Sequence, residues 1–151
     1  MPRIDFYHLQ KQSREEVLPK LLAKAYATGK KILVRSSTSE KTEKLNEWLW
    51  TYQDESFLPH GTKKDGFADK QPVFLTWEDD NVNHAEFLFV SDVGSVSVEY
   101  MSSYERVFVI FDGNIAADLD AARQLWQQSK TAAYEVHYWQ QNERGSWEQK
   151  A

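Results

Sequence analysis

The sequence lacks cysteine altogether, and no apolar run in it approaches the roughly 18–20 residues that span a bilayer. The absence of thiols excludes disulfide frameworks, thiolate zinc sites, iron–sulfur clusters and cysteine nucleophiles. The first ten residues, MPRIDFYHLQ, do not show the basic-then-apolar order of a signal peptide. We therefore expect a soluble, cytoplasmic protein that does not act on a membrane.

Basic side chains are also in short supply, because 18 Lys and Arg face 23 Asp and Glu and leave a formal net charge of −5. Binding of nucleic acid through bulk positive charge needs a clustered cationic surface that releases counterions from several phosphates. That class of protein is excluded for the chain as a whole, and we expect no direct nucleic-acid partner. A local basic patch of Lys63, Lys64, Arg123 and Lys130 stays open as an alternative.

Glycine is scarce, and its six copies form no phosphate-binding loop. The turn after the first predicted strand, LQKQS, has no glycine, and no Gly-x-Gly-x-x-Gly occurs, so we expect no nucleotide cofactor. Asp112 ends an apolar segment, as does the magnesium-binding Asp of P-loop enzymes. We favour a turn or capping role for Asp112, with a magnesium-dependent nucleotide or phosphate enzyme as the alternative function. The four histidines lack metal-ligand spacing, and we predict no metal, cofactor or catalytic residue.

Predicted strands and helices alternate along the chain. The strand candidates are short segments rich in β-branched and aromatic residues: 3–9, 31–35, 73–77, 86–90, 106–111 and 134–139. Ser-x-x-Glu capping boxes at Ser13 and Ser37 and helical periodicity over 115–132 predict helices between them. This alternation predicts a single α/β domain over 1–151, a three-layer Rossmann-like fold with a mostly parallel sheet and helices on both faces. The polar stretch 51–72 predicts a long surface loop.

The helix predicted over 115–132 carries the most informative side-chain pattern. Its apolar stripe ends at Trp126, and Arg123 and Lys130 fall with Trp126 inside an arc of roughly 60° at the border between core and solvent. A large aromatic ring beside two cations suits a peptide that is both apolar and acidic. The helical pattern by itself favours the simpler interpretation, a core-edge tryptophan flanked by long basic side chains.

Several stretches together resemble the chi subunits of the bacterial DNA polymerase III holoenzyme. They are LNEWLWTYQDESFLPHG at 45–61, the segments 71–73, 104–113 and 138–141, and Trp147. The most specific part is the spacing of Trp50, Phe57, Pro59 and His60. The resemblance covers essentially the whole chain. It implies a Rossmann-like accessory protein of the clamp-loader assembly that is not an enzyme and binds no nucleotide.

The resemblance also implies two partners, the psi subunit and the acidic C-terminal tail of the single-stranded-DNA-binding protein, which ends in Pro-Phe with a free carboxylate. By similarity, the tail-gripping arginine falls on Arg123, its neighbouring aromatic residue on Trp126, and the pocket wall on Trp50 and Phe57. The family's additional lysine falls on Gln127, so one cation is missing, and Lys130 is the candidate to replace it. No residue is assigned to psi or to another clamp-loader subunit.

Overall fold

The computed structural model describes residues 2–51, 60–66 and 70–151. The strands and α-helices of these ranges are β1 Arg3–Leu9, α1 Arg14–Tyr26, β2 Ile32–Arg35, α2 Ser39–Thr51, β3 Val73–Thr76, β4 Phe87–Val90, α3 Val98–Met101, β5 Arg106–Asp112, α4 Ala116–Thr131, β6 Glu135–Gln141 and β7 Trp147–Gln149. All six predicted strands are confirmed, whereas the one-turn helix α3 was not predicted. The predicted loop 51–72 lies partly outside the described residues. None of the described helices is long and apolar enough to cross a membrane.

The strands form one seven-stranded sheet in the order β3-β2-β4-β5-β1-β6-β7. All neighbouring pairs are parallel except β6 and β7, which form an antiparallel hairpin. One apolar cluster joins α1 and α2 to one face of the sheet, and a second cluster joins α3 and α4 to the other face. The predicted three-layer α/β fold with a mostly parallel sheet is therefore confirmed.

The two predicted capping boxes have different outcomes. At α1, the Ser13 side chain accepts a hydrogen bond from the Glu16 backbone N–H, and the Glu16 side chain bonds back to Ser13, as predicted. At α2, the prediction for Ser37 is wrong, because the Thr38 hydroxyl caps the helix by accepting from the Lys41 N–H at 3.2 Å. Ser37 instead donates hydrogen bonds through its hydroxyl and its N–H to Asp92. Ser37 follows β2 and Asp92 follows β4, which is the neighbour of β2 in the sheet.

A buried carboxylate holds the three adjacent parallel strands β5, β1 and β6 together. Asp5 on β1 has no exposed surface and accepts hydrogen bonds from Arg106 Nε at 2.8 Å, from Trp139 Nε1 at 3.0 Å and from Arg3 Nη2 at 3.1 Å. Burial and the charge of Asp5 raise the pKa of the adjacent Tyr7 to about 12, which keeps that phenol neutral. Asp5 therefore joins β1 to β5 and to β6 through side chains as well as through the backbone.

Replacement of Asp5 by alanine is expected to lower the free energy of unfolding by about 3 kcal/mol, because it leaves three partly buried donors without their acceptor. The measurement is urea-induced unfolding of the variant and the parent protein. Glu135→Ala is the matched control, since this 63 % exposed carboxylate also pairs with Arg3 but at the surface, and its loss is expected to cost under about 1 kcal/mol. Equal losses in the two variants would contradict the role given to Asp5.

Candidate functional site

The fourth helix packs on the sheet through one face and leaves its predicted cations in solvent. Ala122, Leu125 and Ser129 are buried against the sheet. Trp126 lies at the border of this face and is only partly buried, because it packs edge-on against the ring of Phe6 at 5.3 Å between centroids and against Tyr138 at 5.7 Å. Phe6 and Tyr138 belong to β1 and β6, so Trp126 lies at the junction between α4 and the β6 side of the sheet, which is called the α4 groove below.

Two cations flank the exposed part of Trp126. Lys130 places its Nζ atom 5.3 Å from the centroid of the Trp126 ring, within the range of a cation–π interaction. Arg123 is exposed, lies close enough to His8 and Tyr138 to influence their titration, and forms no ion pair with any residue in the described ranges. The structure therefore brings Arg123, Trp126 and Lys130 together, as the helical spacing predicts. Gln127, the position of the missing lysine, is exposed one turn after Arg123.

A neutral histidine lies near these residues, at the carboxyl end of β1. His8 Nδ1 contacts the Tyr138 hydroxyl and lies 3.1 Å from Gln140 Nε2. Because an amide nitrogen only donates, Nδ1 accepts and the proton lies on Nε2. Burial, and next the charge of Arg123, lower the pKa of His8. A Cβ atom at Gly113 would lie 1.8 Å from His8 Nε2, so this position requires glycine. The position of His8 and Tyr138 beside α4 was not predicted from the sequence, because only strand pairing brings these residues to that helix.

Trp50, expected in the wall of the same pocket, lies elsewhere. It is 52 % exposed at the end of α2 and packs against His60 with 4.3 Å between ring centroids. Since α2 and α4 cover opposite faces of the sheet, a peptide residue that contacts Trp126 cannot also contact Trp50. The other expected wall residue, Phe57, lies outside the described residues. Trp50 and Trp126 are separated because the strand order places α2 and α4 on opposite faces of the sheet. Strand order could not be predicted from the sequence.

The alternative basic patch is not a single surface. Lys63 pairs with Glu78 at 3.2 Å, and Lys64 pairs with Glu43 of α2 at 3.8 Å. Arg123 and Lys130 lie on the opposite face, on α4. The four cations predicted as a nucleic-acid patch are thus divided between two faces of the sheet, and the two lysines of the first face are neutralised by acids.

Asp112 has the geometry of a turn residue. Its Oδ1 atom accepts from the Asn114 N–H at 2.9 Å and so closes the turn that leads from β5 into α4. Among the described residues, no group of three or more His, Asp or Glu side chains could hold a metal ion. The geometry of Asp112 thus agrees with the turn role favoured by the sequence.

Together these features define a Rossmann-like α/β protein that carries a partly buried tryptophan flanked by two exposed cations on α4. Residues 1–137 match the family model described as DNA polymerase III chi subunit, HolC. The chain belongs to this family, whose members are accessory subunits of the bacterial replicative polymerase and associate with other replisome subunits.

Two curated relatives carry the same family name. The chain is 30 % identical over 117 residues to a probable DNA polymerase III subunit chi of Rickettsia prowazekii (strain Madrid E), a match that covers 74 % of this chain and 71 % of the relative. It is 20 % identical over 125 residues to the DNA polymerase III subunit chi of Escherichia coli (strain K12), with 82 % of each chain covered. Both names indicate a role in DNA replication.

Removal of the Arg123 charge is expected to raise the pKa of His8, because the cation opposes protonation of the imidazole. Because the pKa of His8 is lower in the folded protein, the unfolded protein binds the proton more readily. The free energy of unfolding therefore decreases as the pH falls through about 6.5, the ordinary pKa of histidine. NMR titration of the His8 ring in Arg123→Ala and in the parent protein measures the shift. Lys130→Ala is the control and is expected to leave the pKa of His8 unchanged. A lower pKa of His8 in Arg123→Ala would contradict the position given to Arg123 near this histidine.

Proposed function

We propose that the protein binds the acidic C-terminal tail of the single-stranded-DNA-binding protein in the α4 groove and links that protein to the clamp-loader assembly. The observation that carries the proposal is the position of Trp126, half-buried against Phe6 and Tyr138 with two exposed cations, Arg123 and Lys130, on the same helix. The tail chemistry implied by the family resemblance is an aromatic side chain and a free carboxylate, and the groove offers one complementary group for each.

The carboxylate is assigned to Arg123. A guanidinium group binds a carboxylate through two parallel N–H···O bonds, and this arginine is exposed and makes no competing ion pair within the described part of the chain. The terminal phenylalanine ring packs against Trp126 and Tyr138, which already meet nearly edge-on with an interplanar angle of 87°. Neutral His8 near the groove adds no second charge.

The acidic net charge of the protein agrees with this function. A chain with a net charge of −5 is repelled by the DNA backbone and reaches the template through a protein that coats it. A contact of moderate affinity with that coat, combined with a second contact to the clamp loader, raises the effective concentration of the polymerase assembly on coated DNA.

The clamp-loader contact is assigned to the opposite face, at Trp50. Among the described residues, Trp50 is the most exposed large apolar side chain, and tryptophan is enriched at the centres of protein interfaces. The sheet separates Trp50 from the α4 groove, so psi or another clamp-loader subunit and the acidic tail can bind at the same time. This arrangement is what a linking subunit needs.

Arg123→Ala is expected to weaken binding of the tail peptide by about 1.5–3 kcal/mol, which is roughly 10- to 150-fold, because the peptide carboxylate loses its charged donor. Isothermal titration calorimetry with a synthetic tail peptide measures the change. Removal of the terminal phenylalanine from the peptide is expected to cause a loss of similar size.

Lys44→Ala is the matched control for this experiment, since Lys44 is an exposed helical cation on the other face of the sheet. Gln127→Lys is the gain-of-charge counterpart and is expected to tighten binding at low salt, with the gain lost as salt screens the added cation. Unchanged affinity in Arg123→Ala would refute the assignment of the tail to this groove.

Trp50→Ala is expected to leave the affinity for the tail peptide unchanged and to weaken association with the purified clamp-loader subunits by about 2 kcal/mol or more. Surface plasmon resonance with each partner in turn separates the two effects. Val82→Ala, at a residue that is 36 % exposed, is the control for loss of exposed apolar surface. Loss of tail binding in Trp50→Ala would show that the two faces do not act separately.

A further inference from the structure

A second groove lies between α1 and the hairpin formed by β6 and β7, and it encloses about 650 Å³. Three cations line it: Lys20 and Lys24, one turn apart on α1, and Arg144 in the hairpin turn. No acidic side chain lines the groove, and none of the three cations forms an ion pair with a residue in the described ranges. A protein with a net charge of −5 thus leaves three unneutralised positive charges around one depression.

The floor of this groove is apolar. Val17 and Leu21 are buried on α1 and face it together with Lys20 and Lys24, since these four positions follow the i, i+3, i+4, i+7 spacing of one helix face. Trp147 of β7 forms the other side. Its ring is half-buried and meets Tyr7 edge-on at 5.1 Å, a contact that holds the indole in place.

A buried hydrogen-bond acceptor in the groove has no partner. Gln141 is 9 % exposed, and its Nε2 atom donates to the Gly145 carbonyl oxygen at 3.2 Å and to the Gln12 side chain. Because a carbonyl oxygen only accepts, this contact fixes which end of the amide is the nitrogen. The Oε1 atom is then buried and has no hydrogen-bond partner among residues 2–51, 60–66 and 70–151, which is costly unless a bound group donates to it.

We propose that this groove binds an acidic peptide segment of a protein partner, with an apolar side chain against Leu21 and Trp147, carboxylates on the three cations, and a peptide N–H on Gln141 Oε1. Charge complementarity selects this occupant over a basic one. A nucleic-acid strand fits less well, because a phosphate at every nucleotide adds negative charge beyond the three cations of the groove, whereas a short acidic segment can match its few carboxylates to them. The site does not depend on the tail site, since α1 and α4 lie on opposite faces of the sheet.

The groove also lies in part outside the stretch that defines the family. The family model matches residues 1–137, whereas Gln141, Arg144 and Trp147 follow that stretch. Family membership therefore does not account for this group of side chains.

The test uses the full chain and a fluorescein-labelled peptide that alternates Asp or Glu with Leu and Phe, with its carboxyl terminus blocked as an amide. The blocked end removes the free carboxylate on which the proposed tail site depends. Fluorescence anisotropy is expected to show binding that Lys24→Glu combined with Arg144→Glu weakens by at least about tenfold. In NMR spectra of the parent protein, the Trp147 indole N–H and the Gln141 amide signals are expected to shift on binding.

Two variants serve as controls. Lys44→Glu reverses an exposed helical charge outside the groove, and Arg123→Ala removes the charge of the tail site; both are expected to change the affinity by less than roughly twofold. The proposal is overturned if the parent protein does not bind the peptide at about 1 mM, or if either control loses binding as the double variant does. It is also overturned if a 20-nucleotide oligothymidylate binds the groove more tightly than the peptide. All the altered side chains are exposed, so each variant is expected to fold like the parent protein. Urea unfolding of each variant checks this expectation.

Discussion

The buried carboxylate of Asp5 is the constraint on which the rest of the molecule depends. It accepts hydrogen bonds from Arg106 on β5 and from Trp139 on β6, so the register of the three adjacent parallel strands β5, β1 and β6 is fixed by side chains as well as by the backbone. Register decides which residues face each helix layer, because a slip by one residue reverses every side chain of a strand. On β6 it turns Tyr138 toward α4 and Trp139 toward α1. Both proposed grooves are built on that alternation.

The sheet separates the α4 groove on one face from the α1 groove and Trp50 on the other. The two faces pack into separate apolar clusters, and the ion pair between Arg14 of α1 and Asp118 of α4 at 3.2 Å joins the helices at their first turns, away from both proposed grooves. Ligands bound on the two faces are therefore expected to affect one another only weakly. The charge distribution agrees with this division. Lys63 and Lys64 are neutralised by acids near α2, whereas Arg123 and the three cations of the α1 groove keep their charges available in the described structure. A small acidic domain can in this way present separate cationic grooves and leave Trp50 exposed on the α2 side of the sheet.

Local features of the fold could be predicted from the sequence, whereas features that depend on distant pairing could not. Strands such as β5 follow from their own composition, and the grouping of Arg123, Trp126 and Lys130 follows from 100° per residue within one helix. Strand order joins residues far apart in the chain, and no local pattern shows that α2 and α4 lie on opposite faces. Trp50 was expected beside α4 only from the family resemblance. The Gln141 site depends on contact between β6, β7 and α1, which no local pattern reveals. Thr38 caps α2 in place of Ser37 because Asp92, 55 residues away, holds the Ser37 hydroxyl.

Glutamine stands at position 127, where the family resemblance places a lysine, and this leaves Arg123 and Lys130 as the two cations proposed for the α4 groove. Lys130 lies over the Trp126 ring, where part of its charge is balanced by the electron-rich face of the indole. It is therefore placed to support the aromatic contact more than to compete for a carboxylate. Arg123 is then left as the main anion-binding group of the groove, and its guanidinium geometry favours one well-oriented carboxylate over a diffuse acidic stretch. The proposed recognition at this groove is therefore concentrated on the end of a chain, where a single free carboxylate adjoins an apolar side chain.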